Sequence, residues 1–517
     1  NGERYPLSCH QFADSRHPDG FSCCEEFRAL PSPGWRYEVP GAEIAFRILM
    51  PEAERRVVCV WRVSTEEAGW RLSVRPLFAY REAESLTHAN DAADMELRQQ
   101  HGAWRIAPYA GCPELILRTD GAAFERDPCW YYRLEHAWDV CLGRDAIEDA
   151  FSPGVFRWGL PAKGTVALAA GLSDGPTDIE VIEADQARRL ADWVVPAPDD
   201  DISVALSRSA RAFLQSGADG RFILVPALPD SGGDARAVLI GLPGILLCTR
   251  RLDAARDILR GMLERIEEEA SDRPLDDLSL WLIRAGELYV DHSRDWDFLR
   301  EELAPAAGRL VQRYLDNAPD CGFHMTADGL LMNNDRGLAL TWMNALIEGW
   351  PATARVGKPV EVNALWHHAL CLLSRWARRR GLVEEERKYA RMRDLCRRSF
   401  RNRFANRSIN GLFDVVDVPD RDVPDAAIRP NQLFAVSLPS DLLGRAEAEG
   451  VLRIVENRLL TPVGLRTLSL EDRAFRPRCD GGEMEREAAR HQGSVHPWLL
   501  GPYADAVFRV RGRTSNA

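Results

Sequence analysis

Val195-Pro196-Ala197-Pro198-Asp199, two prolines within five residues ahead of an acidic run, separates two stretches of different hydrophobic period. Before it, from about residue 35 to 175, apolar residues come in strand-length blocks. Arg56-Val57-Val58-Cys59-Val60-Trp61-Arg62-Val63 is rich in β-branched side chains, Trp70 to Tyr80 alternates, and Thr165 to Leu172 forms a third run. Alternation suits a pleated strand, whose side chains point to opposite faces in turn. Pro, Gly and Asp clusters separate the blocks, and residues 1–190 therefore predict an antiparallel β-sandwich. Residues 191–200 read as a linker. Beyond it the apolar spacing becomes three and four in Leu252 to Ala270, Leu278 to Ser293, Trp296 to Leu315, Glu361 to Arg380, Glu384 to Phe404 and Ala446 to Leu460. That is the stripe of an amphipathic helix. Residues 201–517 predict an all-α domain, and the lack of a fixed-period solenoid repeat favours a closed ring of helix pairs whose loops at one end build a site.

The 517 residues suffice for two to four domains at roughly 100–200 residues each. Sixty-six basic against 78 acidic residues give a net charge of −12, with no basic block, which argues against nucleic acid or an anionic membrane as partner. The longest apolar stretch, Ala237 to Cys248, is broken by Gly241, Pro243 and Gly244 and is too short to cross a bilayer. The first residues show neither a basic n-region nor an apolar h-region, so no signal peptide is read. Twelve cysteines without a CxxC pair read as reduced thiols, which places the chain in a cytoplasm.

Three loop-like stretches combine tryptophan with amides and carboxylates: Leu340-Thr341-Trp342-Met343-Asn344-Ala345 running on to Glu348 and Trp350, with Gly357-Lys358-Pro359-Val360-Glu361-Val362-Asn363-Ala364-Leu365-Trp366 behind it; Arg429-Pro430-Asn431-Gln432 running on to Ser437-Leu438-Pro439; and His491-Gln492-Gly493-Ser494-Val495-His496-Pro497-Trp498. A pyranose needs such a mixture, because its C–H faces stack on aromatic rings and its hydroxyls take bidentate hydrogen bonds.

These strings, with Val74-Arg75-Pro76-Leu77 and Phe151-Ser152-Pro153-Gly154 upstream, resemble glycogen debranching enzymes of the archaeal and bacterial type, whose C-terminal domain is an amylo-α-1,6-glucosidase. The resemblance covers almost the whole chain in order. It implies a β-sandwich followed by an (α/α)6 toroid of the six-hairpin glycosidase kind, acting on glycogen or a branched α-glucan without metal or cofactor. The activity implied is hydrolysis of α-1,6 branch points with inversion, which needs one carboxyl as acid and a second as base, about 6.5–9.5 Å apart. It also implies that both ends of the family pattern extend beyond this sequence, and that the base lies past residue 517. The sandwich would then be incomplete at its start and the toroid at its end.

Departures from the family pattern lie at the chemistry. The family's acid, the last residue of a Thr-Trp-Met-Asp string, is Asn344 here, and a carboxamide delivers no proton at neutral pH. Glu348 is a weak substitute that would sit one turn along the same face if the segment is helical. In the loop expected to hold the terminal glucose, Arg236 is kept, the Trp position is Asp234 and the Asp position is Ala237. Asp277 is kept, Arg490 stands for Tyr, and His496 for Trp. The alternative to hydrolysis is therefore a catalytically impaired glucan-binding homologue. Substrate contacts implied by the motifs are Arg236, Asp277, Trp342, Glu361, Asn363, Arg429, Asn431, Gln432, His491, Gln492 and Trp498.

Each has a plainer reading. Trp342, Trp366 and Trp498 also suit helix packing, Glu361 suits the acidic first turn of a helix, and Asn363 suits local backbone bonding. The pair His367-His368 does not read as a metal site, since neighbouring helix residues face about 100° apart.

Overall fold

The computed structural model describes residues 3–512 except 30–31, 52–53, 67–68, 83–84, 176–177, 194–200, 218–219, 229–232, 270–272, 319–320 and 420. The chain separates into two units, Asn1–Trp193 and Val194–Ala517. The proline-rich break Val195–Asp199 and most of the expected linker lie outside the described residues.

The first unit contains a five-stranded and an eight-stranded sheet, antiparallel throughout. Strand Arg56–Thr65 shows why they pack. Val58 and Val60 point to one face, Trp61 and Val63 to the other, and all four are buried. On the Trp61 side, Val39, Ile44 and Leu168 of the larger sheet join Phe151, Phe156 and Trp158 of the smaller one in a single core. On the other side, Val58, Val60, Ala167 and Ala169 are covered by Ile182 of helix Ile179–Ala191. Burying each valine stabilises by about 2 kcal/mol. The same helix is pinned by Glu183, which accepts from Arg47 and Arg62 at 2.6 Å each. The larger sheet ends in strands Cys24–Arg28 and Arg98–Gln100. The alternating stretch Trp70 to Tyr80 is only partly a strand: pairing covers Arg71–Val74, then Pro76, which has no N–H to donate, interrupts the ladder, and Phe78 returns as a single bridge to Phe151.

The second unit is helical. Helices Leu252–Glu268, Leu278–Ser293, Val360–Arg379, Val383–Phe404 and Arg445–Arg458 form within two residues of the periodicity bounds, apart from Ala270, which lies outside the described residues. Residues 296–316 form one helical run with a wider turn at Leu299–Leu303. Helix Val360–Arg379 is the hub. Almost every residue from Val360 to Ala377 is buried, and it packs against Leu278–Ser293, Ala304–Asp316, Val383–Phe404 and Phe434–Ser437. Trp366 takes its packing role there: it is fully buried, meets Tyr314 edge-on, and donates to the Gly329 carbonyl at 3.0 Å. Gly286 in Leu278–Ser293 lets a neighbour close in, since a Cβ there would lie 2.7 Å from the Leu303 side chain.

Candidate functional site

A cleft of about 480 Å³ opens where helix Ala235–Leu242 begins, with Asp234, Arg236, Arg273, Asp276, Asn344 and Arg490 among its lining residues. Asp234 caps the helix by accepting from the backbone N–H of Arg236 (3.0 Å) and Ala237 (3.3 Å). That cap sets the direction of Arg236, whose buried guanidinium donates to Asp277 at 2.6 Å and Asp276 at 3.2 Å. Asp277, completely buried just before helix Leu278–Ser293, also accepts from the Trp281 indole at 3.1 Å. Burial pushes its carboxyl above the usual range, although Arg236 pulls the other way.

Asn344 is half-buried, lines the same cleft, and has no hydrogen-bond partner among the described residues. Glu348 is not stacked above it. The segment is not helical: Glu348 (φ 50°) and Gly349 (φ 83°) form the tight turn of a hairpin joining Leu346–Ile347 to Trp350–Pro351. Both φ values are positive, as such two-residue turns require, and Glu348 is carried out to solvent.

The three motif loops meet behind the cleft. Trp342 meets His491, His496 and Trp498 edge-on at ring distances of 5.3, 5.6 and 5.1 Å. Trp281 and Phe434 extend the cluster from Trp498. His496, where the family has tryptophan, thus keeps an aromatic role. Below the rings the Trp342 indole donates to Asn431 Oδ1 at 2.8 Å, and the Asn431 amide donates to Asp414 at 2.8 Å. Arg429 donates to the His491 carbonyl (2.6 Å) and to Gln492 (2.9 Å), and Gln492 continues to Thr353 at 3.1 Å. Gln432 ties Leu412 N to the Arg429 carbonyl. Arg355 bonds Glu361 at 2.7 Å and lies 3.2 Å from Asp414. Burial drives both of these carboxyls upward against the pull of Arg355, and each leaves one oxygen without a hydrogen bond. His491 is buried with neither ring nitrogen bonded, and burial, His496 and Arg490 hold it well below the ordinary imidazole range.

Of the residues named from sequence, Arg236 and Asn344 line the cleft. Asp277, Trp342, Arg429, Asn431, Gln432, His491, Gln492 and the half-buried Trp498 do not line it and belong to the bonded and aromatic network just described. Glu361 and Asn363 do not line the cleft either. Glu361 is completely buried in the first turn of helix Val360–Arg379 and faces Arg355. Asn363 spends its amide on the Leu331 N–H and on the carbonyls of Leu331 and Pro359, leaving nothing exposed for a ligand. Sequence reasoning missed Arg355, Asp414, Asp276 and Arg273. Asp414 carried a signal, a lone carboxylate inside Gly411-Leu412-Phe413-Asp414-Val415-Val416; Arg355 carried none.

Chemically, the cleft presents guanidinium, carboxylate and amide groups. Among solved structures, a bacterial glucoamylase complexed with acarbose matches with a TM-score of 0.55 at 11% identity, over 95% of this chain and 80% of that one. The fold is therefore similar to that of this glucoamylase, with a sheet unit and a helical unit in this chain. Residues 232–517 match the family model described as amylo-alpha-1,6-glucosidase, and residues 1–167 the one described as glycogen debranching enzyme N terminal. The chain belongs to the glycogen debranching enzyme family. A glycogen debranching enzyme of Saccharomyces cerevisiae (strain ATCC 204508 / S288c) is 23% identical over 269 residues, 44% of this chain and only 17% of the yeast protein. No helix among the described residues is long and apolar enough to cross a membrane.

Proposed function

We propose that the helical unit recognises the α-1,6-linked glucose of a branched α-glucan in the cleft between Arg236 and Asn344, and that this chain hydrolyses the bond poorly or not at all. One observation carries the reading. Where the family resemblance puts the proton donor, the cleft presents the carboxamide of Asn344, while the two described carboxylates that line it are committed: Asp234 to backbone N–H groups, Asp276 to Arg236 and the Leu278 N–H. Neither is free to hand a proton to a glycosidic oxygen. The acarbose bound by the glucoamylase of similar fold supports a ligand of that kind. The same reading takes the helices of residues 201–517 as an (α/α)6 ring with the cleft at one end, and it places the chain in a cytoplasm. Twelve free cysteines support the latter.

The second reading, inverting hydrolysis of α-1,6 branch points, is favoured by the family match across residues 232–517. A branched limit dextrin separates the two. The expected result is retardation of the chain in a glycogen affinity gel, with glucose release far below about 1 per second. Release at that rate or above overturns the impaired reading, and unretarded migration overturns glucan recognition. Asn344→Asp is expected to raise glucose release by at least about 100-fold, the usual worth of a positioned acid.

A further inference from the structure

A second cleft, of about 440 Å³, lies among helices Val360–Arg379, Val383–Phe404 and Leu500–Arg511 and the loop after Phe434–Ser437. Its volume is that of a small-molecule site. Arg375, Arg378, Arg393 and Arg509 line it against a single carboxylate, Asp441. Asp441 is already taken by a fifth arginine, Arg397, at 2.7 Å. Of the other guanidinium groups, Arg375 and Arg509 are incompletely compensated. Arg378 and Arg393 each hold one carboxylate, Glu386 and Asp394. Arg375 reaches Glu287 only at 3.8 Å, and Glu287 is already shared by Arg284 and His368. Arg509 donates to the carbonyls of Val436 and Ser440 and, among the described residues, feels Asp505 without an ion pair to it. The Ser440 hydroxyl, on the same lining, is buried without a partner.

We infer that this cleft binds a phosphate dianion, free or as a sugar monophosphate. Guanidinium forks match phosphate oxygens two at a time, and a dianion satisfies several converging arginines at once. The surplus hydroxyl supplies one further donor. A macromolecular polyanion does not fit a cleft of this volume.

The same place offers a competing chemistry. His367, Cys371 and Asp441 put ligand atoms within 4.8 Å of one another, a spacing a metal ion could exploit. Charge decides against it. A divalent cation would meet five guanidinium groups, it would have to displace Arg397 from Asp441, and burial pushes the Cys371 thiol up to about 11, far from the thiolate a metal wants. The cleft shares no lining residue with the Arg236–Asn344 cleft, so the inference stands apart from the proposed function.

Calorimetric titration of the full chain with inorganic phosphate and with glucose 6-phosphate, at ionic strength held by chloride, tests it. Glucose is the neutral control. Saturable binding of either phosphate below about 1 mM is expected, weakened at least about 10-fold in the Arg375→Gln/Arg393→Gln double variant, with glucose silent. Binding of phosphate alone or of both identifies the phosphoryl group as the determinant, and binding of glucose 6-phosphate alone identifies a sugar phosphate. Arg378→Gln, at a largely exposed side chain, repeats the test should the double variant fold poorly. No saturation by about 10 mM, or unchanged affinity in the variants, overturns the inference. So does a cobalt–thiolate absorption band that disappears in Cys371→Ser.

Discussion

Arg355 and Glu361 form an ion pair at 2.7 Å with almost no exposed surface on either side chain. Asp414 approaches the same guanidinium from another side at 3.2 Å. One cation therefore holds two buried carboxyls behind the cleft. Arg355→Met leaves Glu361 without a counter-charge and Asp414 with only Arg429, at 3.8 Å, and is expected to lose about 3–5 kcal/mol in urea unfolding at pH 7. A loss under about 1 kcal/mol would show that the carboxyls do not depend on Arg355.

Trp342 joins the aromatic wall to the polar floor through its indole N–H. Trp342→Phe keeps most of the ring packing but strands Asn431 Oδ1 in the interior. The expected cost is about 1–2 kcal/mol of stability, with weaker retardation on glycogen gels. Wild-type retardation in a stable variant would remove Trp342 from glucan recognition.

Gly286 allows Leu303 to pack against its helix backbone. Gly286→Ala would gain helix propensity, worth about 1 kcal/mol, yet its Cβ would lie 2.7 Å from Leu303. Overpacking is expected to win, with a net loss of about 1–2 kcal/mol by thermal melting. Gly286→Ala combined with Leu303→Ala should recover part of it.

His367 carries a pH signature. Burial lowers its imidazole from 6.5 to about 4, and the surrounding arginines add to the shift. The unfolded chain takes up a proton near 6.5 that the folded chain refuses until about 4, so this contribution is complete above 6.5 and is lost as pH falls across that window. It is worth up to about 3 kcal/mol. Glu361 and Asp414, raised in the fold, slope the opposite way, so the comparison is with His367→Gln: its stability should fall less than wild type's between pH 7 and pH 5, measured by urea unfolding. Equal slopes would show that His367 takes up its proton as readily in the fold as in the unfolded chain.

Much of this architecture was legible because period reports burial. The helices from Leu252 to Arg458 appear close to where apolar spacing places them, and strand Arg56–Thr65 where β-branched residues cluster. Local turn chemistry was less legible. A helical reading carried Glu348 onto the face of Asn344, but Glu348-Gly349 closes a hairpin, a choice made by two positive φ angles and by pairing of Ile347 with Trp350. Function-bearing motifs showed which loops would meet without showing depth. Arg236 and Asn344 line the cleft, whereas Glu361 and Asn363 are buried in the first turn of helix Val360–Arg379. Arg355 was invisible, because nothing in a surface-like Thr-Ala-Arg-Val string tells that it enters the interior to meet Glu361 and the sequence-distant Asp414.

The outermost strands of the eight-stranded sheet are short and charged. Cys24–Arg28 carries Glu25, Glu26 and Arg28 in five residues, and Arg98–Gln100 is three exposed polar residues long. A free sheet margin is a template on which any other extended chain can zip up, and short, charged margins refuse that growth. The sheet thus stops at its own borders, and a concentrated solution of this unit is guarded against strand-to-strand polymerisation by the shortness and charge of its two margins.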